Sequence, residues 1–290
     1  MTEFIQSVIN GISIGAAYTL VGLGLTVIYS VYRLLNLAHG EFYMLGAYVS
    51  FFTMSILGFP FFVAVIASMI ITGIFGLIAE FLVFRRLQHH SESDQVVATV
   101  GLFFFIENIA LYFLTANFHS IVSPFPAQSV VKFAGLSISS HRLMIIIVTC
   151  IFVVMLHYFF SRTILGKQMR SVAQDRETAQ LMGINIKFIG KVAFFLSCAL
   201  AALAGTMMGS LQQVNPIMGF APLLTALIVV ILGGLGSNIG AIIGGLIIGI
   251  TQSLAVTYTS AIVSNIAVYL ILFLVLMMKP TGLFGGKLHA

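Results

Sequence analysis

With 290 residues, 60% of them hydrophobic and only 7% charged, the chain carries far fewer charges than the roughly 25% usual for a water-soluble domain. Its 13 basic and 8 acidic residues are scattered between apolar runs, which excludes a soluble enzyme and a basic stripe for nucleic acid. A mean hydropathy of +1.12 and several apolar runs of about 18 residues or more indicate an all-α, polytopic membrane bundle, one domain over residues 1–290.

In chain order the apolar runs fall at about 4–32, 37–57, 61–84, 96–116, 143–160, 192–214, 223–232, 241–258 and 261–278, which gives eight or nine spans. The amino terminus, MTEFIQSVIN, lacks the basic residues of a signal peptide and reads as the start of the first span. The run at 37–57 contains His39 and Glu41, and the run at 223–232 is short, so both are expected to be broken or re-entrant helices. Residues 117–142 read as an external loop. Residues 161–191 read as a cytoplasmic loop, with a short surface helix from Ala173 to Met182 stopped by Gly183.

Placing the amino terminus outside and the carboxyl terminus inside puts Arg33, Arg85, Arg86, the six basic residues between Arg162 and Lys191, Lys279 and Lys287 on the cytoplasmic side. Only Lys132 and Arg142 then lie outside, a strong positive-inside asymmetry.

Candidate functional positions are those where polarity or glycine interrupts an apolar run. A charge at the bilayer centre costs about 2.5–3.5 kcal/mol, so His39 and Glu41 either face a hydrated cavity or reach an interface, and Gly40 between them offers a helix break. Such a break presents a half-helix N-terminus, with amide donors and a positive dipole end. Glu107 lies near the middle of its run, either facing the pathway or bonded as a neutral carboxyl to a neighbouring helix. The run GGLGSNIGAIIGGLIIG repeats glycine at Gly236, Gly240 and Gly244, one helical face suited to close packing or to a gate.

NLAHG at Asn36 to Gly40 follows the first run, and NPIMG at Asn215 to Gly219 follows the sixth, on the opposite side. Two breaks approaching from opposite sides fit an inverted repeat. No GxxxxGK[ST], HExxH, CxxC or nucleophile elbow occurs, and Cys150 and Cys198 sit inside apolar runs. The chain is therefore expected to have no catalytic residue, metal site or cofactor. Any ATP hydrolysis would belong to another chain.

Three stretches in order, NLAHGEFYMLGAY, RSVAQDRETAQLMGIN and LGGLGSNIGAIIGG, resemble the integral-membrane permease of bacterial branched-chain amino-acid ABC importers. The resemblance runs over nearly the whole chain. It implies a cobalamin-importer-like helical fold in the bacterial inner membrane, a second homologous permease, cytoplasmic ATPases and a periplasmic binding protein. It also implies that Glu177, Ala179 and Gly183 form the ATPase-coupling motif, with Thr178 replacing an alanine and the later Leu-Pro missing. Related permeases carry urea or short amides, which keeps those substrates as an alternative. A stand-alone ion-coupled carrier or channel using Glu41 and Glu107 is an alternative of another class.

Overall fold

The computed structural model describes residues 2–87, 90–115, 117–126, 130–133 and 136–285. Lys287, counted above among the basic residues expected on the cytoplasmic side, and residues 127–129 and 134–135 of the expected external loop lie outside the described residues. Eleven helices are described: α1 (Thr2–Tyr32), α2 (His39–Ser55), α3 (Phe61–Leu87, with a π-helical turn at Glu80–Phe84), α4 (Glu92–Leu114), α5 (Ser140–Arg162), α6 (Ile164–Gln174), α7 (Arg176–Leu181), α8 (Ile186–Gly209), α9 (Phe220–Gly233), α10 (Asn238–Tyr258) and α11 (Ala261–Met278). Seven of them, α1, α3, α4, α5, α8, α10 and α11, are long and apolar enough to cross a membrane. Two shorter helices within the apolar runs, α2 with 17 residues and α9 with 14, are the two runs expected to be broken.

The arrangement has a two-fold logic. α1 packs on α10 as α3 packs on α8, and α2 lies against α8 as α9 lies against α1. Each half lends its first helix to the other half, the exchange expected of repeats inserted in opposite senses. α1 and α8 meet at the centre and are the most enclosed spans. α4 and α11 sit at the rim, with only 17% and 11% of their apolar windows buried.

Small residues set the closest approaches. A Cβ added to Gly11 of α1 would lie 2.6 Å from the Ile250 Cα, and one on Gly15 would lie 2.7 Å from the Gly245 carbonyl oxygen, so α1 and α10 touch backbone to backbone. The opposite face of α10 presents Gly240 and Gly244 to α9, where Cβ atoms would strike the Gly233 carbonyl and, at 2.6 Å, the Val229 carbonyl. Gly236 does not join that face, contrary to the expected three-glycine stripe. It precedes the helix with φ +81°, in a turn closed by Ser237, whose hydroxyl accepts from the Gly240 amide. The tail folds back here, with the amides of Leu283 and Phe284 donating to the carbonyls of Leu232 and Gly233.

Two loop expectations are also corrected. The segment at 117–142 contains an antiparallel hairpin, β1 (Val130–Phe133) with β2 (Leu136–Ser139), and α5 starts at Ser140 within the stretch read as loop. The segment at 161–191 holds two helices, α6 and α7, in place of the one expected. Asp175 leaves helical geometry and its carboxylate accepts from the amides of Glu177 and Thr178, ending α6 and capping α7.

Candidate functional site

The centre of the bundle is built by two similar turns. After α1, Arg33 takes a left-handed φ of 55° and Asn36 folds its side-chain oxygen back onto the Ala38 amide at 3.0 Å. After α8, Asn215 bonds the Ile217 amide in the same manner at 3.1 Å. In both, a main-chain bond follows from residue i+3, from His39 to Asn36 at 3.2 Å and from Met218 to Asn215 at 3.2 Å. Asn-x-x-x-Gly thus encodes one local device twice, an Asx turn that launches a half-helix. The first break falls at 33–38, not at Gly40, because Asn36 already redirects the chain and Gly40 lies within the first turn of α2.

Gly40 and Gly219 bring the two half-helices together. A Cβ on Gly40 would strike the Gly219 carbonyl, and one on Gly219 would lie 2.5 Å from the Gly40 carbonyl oxygen and 2.8 Å from Glu41 Oε1. The depth of the meeting follows from His39, whose Nε2 approaches the Val21 carbonyl at 3.2 Å. Val21 lies eleven residues before the end of α1, roughly 16 Å at 1.5 Å per residue, about half of the hydrocarbon thickness. Two helix N-termini therefore converge near mid-membrane, each with amide donors and a positive dipole end.

His39 and Glu41 are both fully buried there, neither reaching an interface. His39 fills a notch beside Gly24, where any Cβ would lie 2.8 Å from its Nε2, and its Nδ1 is 3.4 Å from the Ser197 hydroxyl. Glu41 differs, because neither carboxylate oxygen has a hydrogen-bond partner among the described residues. Its charged neighbour is Glu107 of α4, which is only partly buried. Asn36 also keeps an unpartnered amide nitrogen. No group of three or more potential metal ligands occurs among the described residues.

Reading the sequence alone puts Glu80 at an interface, five residues before Arg85 and six before Arg86, whereas it sits wholly buried in the π-helical turn of α3 and accepts from the Tyr32 hydroxyl at 2.9 Å. The same reading missed Thr206 of α8, which bonds Ser50 at 2.6 Å and Ser68 at 3.0 Å and so ties α2 and α3 to the second half. Single hydroxyls in apolar runs give no pattern that reveals such pairing.

A second site lies at the loop end. α7 closes with the amide of Ile184 donating to Ala179 and that of Gly183 to Gln180, with Gly183 at φ +82°, a Schellman stop. Ala179 is buried beneath the helix, while Leu181 and Met182 are 87% and 80% exposed. A cleft of about 750 Å³ lies beside them, lined by Arg176, Glu177, Gln180, Asn185 and Lys187. Bonds from the Thr178 hydroxyl and amide hold the Asp175 carboxyl below its ordinary range. The cap is therefore complete at neutral pH and weakens only as pH falls through that lowered value.

Comparison with known proteins places these features in context. Residues 7–278 match the profile of a family described as the permease component of the branched-chain amino acid transport system. The high-affinity branched-chain amino acid transport system permease protein BraD of Pseudomonas aeruginosa is 30% identical, over 98% of this chain and 96% of its own length. The corresponding LivH of Escherichia coli is 31% identical over 97% and 96%. A probable LivH of Methanocaldococcus jannaschii is 28% identical over 92% and 88%. Among solved structures, PsaBC from Streptococcus pneumoniae in complex with Fab aligns with a TM-score of 0.47 and 15% identity, over 97% of this chain and 91% of that chain.

Proposed function

Because the chain belongs to the family of branched-chain amino acid transport permeases, we propose that it is the membrane subunit of an ATP-driven importer of branched-chain or other hydrophobic amino acids. The observation that carries the reading is the family match across the bundle, joined to two half-helices that converge at mid-membrane. Polar groups at such a crossing are the ordinary place for a transporter to meet its cargo. Glu41 and Glu107 lie on the route, while Asn36, Asn215, Gly40 and His39 hold the junction.

The chain has no nucleotide-binding motif, so separate ATPase subunits supply the energy. They dock on α7 and the adjoining cleft, where Glu177, Ala179 and Gly183 form a rigid unit with exposed Leu181 and Met182 beside it. A binding protein delivers the amino acid from the other side, and a second permease chain completes the assembly. The chain resides in the bacterial inner membrane with its amino terminus outside and its carboxyl terminus inside.

Proteoliposomes holding the full assembly and a loaded binding protein should take up leucine only with ATP. Uptake should survive collapse of proton and sodium gradients, and it should fall in Gly183→Val, where a branched side chain meets a left-handed φ. Gradient-driven uptake without ATP would refute the importer reading. Orientation is checked separately in a background lacking Cys150 and Cys198. Val122→Cys should react with an impermeant maleimide in intact spheroplasts, and Leu181→Cys only after lysis. The reverse pattern would invert the topology.

A further inference from the structure

At the end of the bundle where α1 begins, α1, α5, α8 and α10 border a half-open cavity of about 300 Å³, separate from the half-helix junction. That volume is at the lower end of pockets that hold small molecules, roughly 300–1,000 Å³. Arg142 lines it, half-buried at the first turn of α5. Among the described residues no acidic side chain pairs with Arg142, and no carboxylate lines the cavity. A guanidinium partly withdrawn from water without a counter-ion attracts an anion, and its planar fork matches a carboxylate.

The remaining polar groups point the same way. The Tyr18 hydroxyl donates to Gln252 Oε1 at 2.7 Å, which fixes the amide so that its NH₂ is left as a donor. Asn10 accepts from Gln6 through its own Oδ1 at 3.4 Å, which likewise leaves its NH₂. Ile14 and Met208 supply an apolar wall. The cavity thus combines one unpaired cation, two amide donors and a hydrocarbon surface.

We propose that this cavity is a binding station for the carboxylate of an amino acid with an apolar side chain, with Arg142 and the Gln252 amide holding the carboxylate. The identity of the ligand as an amino acid rests on the transport reading above; the preference for a carboxylate on an apolar chain rests on the cavity alone. On the proposed orientation the station lies at the outer end, where cargo enters.

The test uses the complete assembly in nanodiscs, with Thr257→Cys at the cavity wall in a Cys150→Ala background, and follows maleimide labelling of that cysteine. 4-Methylpentanoate and L-leucine at millimolar concentration should slow labelling at least threefold. 3-Methylbutylamine, which has the branched chain without the acid, should not. Gln252→Glu keeps the Tyr18 bond while placing a negative charge in the cavity that Arg142 also lines, and it should remove the protection, as should Arg142→Gln. Arg142→Lys should restore part of it. Equal protection by the amine, or protection unchanged in Gln252→Glu and Arg142→Gln, would overturn the site. The two readings fail separately. Protection by 4-methylpentanoate without any ATP-driven leucine uptake by the wild-type assembly would keep the carboxylate site and remove the amino-acid importer. Leucine uptake without protection would do the opposite.

Discussion

Gly40→Ala and Gly219→Ala should each abolish uptake, whereas Gly101→Ala should leave it intact. All three substitutions add one methyl group, and they differ only in what that group meets. At Gly40 it would strike the Gly219 carbonyl and lie 2.8 Å from the Leu223 Cβ. At Gly219 it would fall 2.5 Å from the Gly40 carbonyl oxygen. These obstacles are mostly backbone, in two half-helices already clamped by their Asx turns, so neither side chain rotation nor a small shift relieves them. Overpacking of a tight core costs about 1–3 kcal/mol, and here the strain is placed on the crossing that defines the site. At Gly101 of α4 no atom of a neighbouring helix among the described residues would lie within 4 Å of an added Cβ, so the gain in helix propensity, about 1 kcal/mol, is the main effect. Uptake and thermal stability of the reconstituted assembly are the readouts. Wild-type uptake in both Gly40→Ala and Gly219→Ala would show that the junction is dispensable.

Most of the bundle was legible because spans are written in hydropathy. The short runs at α2 and α9 stood out by length and by polar content, and the stop at Gly183 by glycine after a run of helix formers. Contacts were less accessible, since α1 beyond Asn10 is apolar, small or hydroxyl-bearing on every side and its periodicity does not say which stripe meets which neighbour. Gly236 and Gly240 are spaced like one helical face, yet Ser237 caps the helix between them. Asp175 carried a capping signal that the good helix formers around it concealed. The hairpin was also visible in principle, as two β-prone runs, VVKF and LSIS, two residues apart. His39 was harder, because its notch exists only where Gly24 of a different helix comes opposite. The Arg142 cavity draws on four helices widely separated in the chain, and no local pattern foretells it.

Glu41 should show opposite responses in stability and in transport. A buried polar atom without a partner costs about 1–3 kcal/mol, and both of its carboxylate oxygens are in that condition. A residue kept only for the fold would not be chosen so, since an apolar side chain of similar length would be more stable in the same space. Glu41→Met, unbranched and adaptable, should therefore match or exceed the wild-type melting temperature of the assembly. The same variant should lose at least tenfold in uptake, because the carboxylate assigned to the proposed route at the crossing of the half-helices is gone. Glu41→Gln retains hydrogen-bonding capacity without the charge and should fall between the two, with its dependence on ATP unchanged. Glu107→Gln should have a smaller effect than Glu41→Gln, since Glu107 stands on a rim helix and is only partly buried. A Glu41→Met assembly that is less stable than wild type yet transports normally would reverse both halves of the expectation. It would return Glu41 to the structural residues and leave the route through the junction to be carried by backbone groups alone.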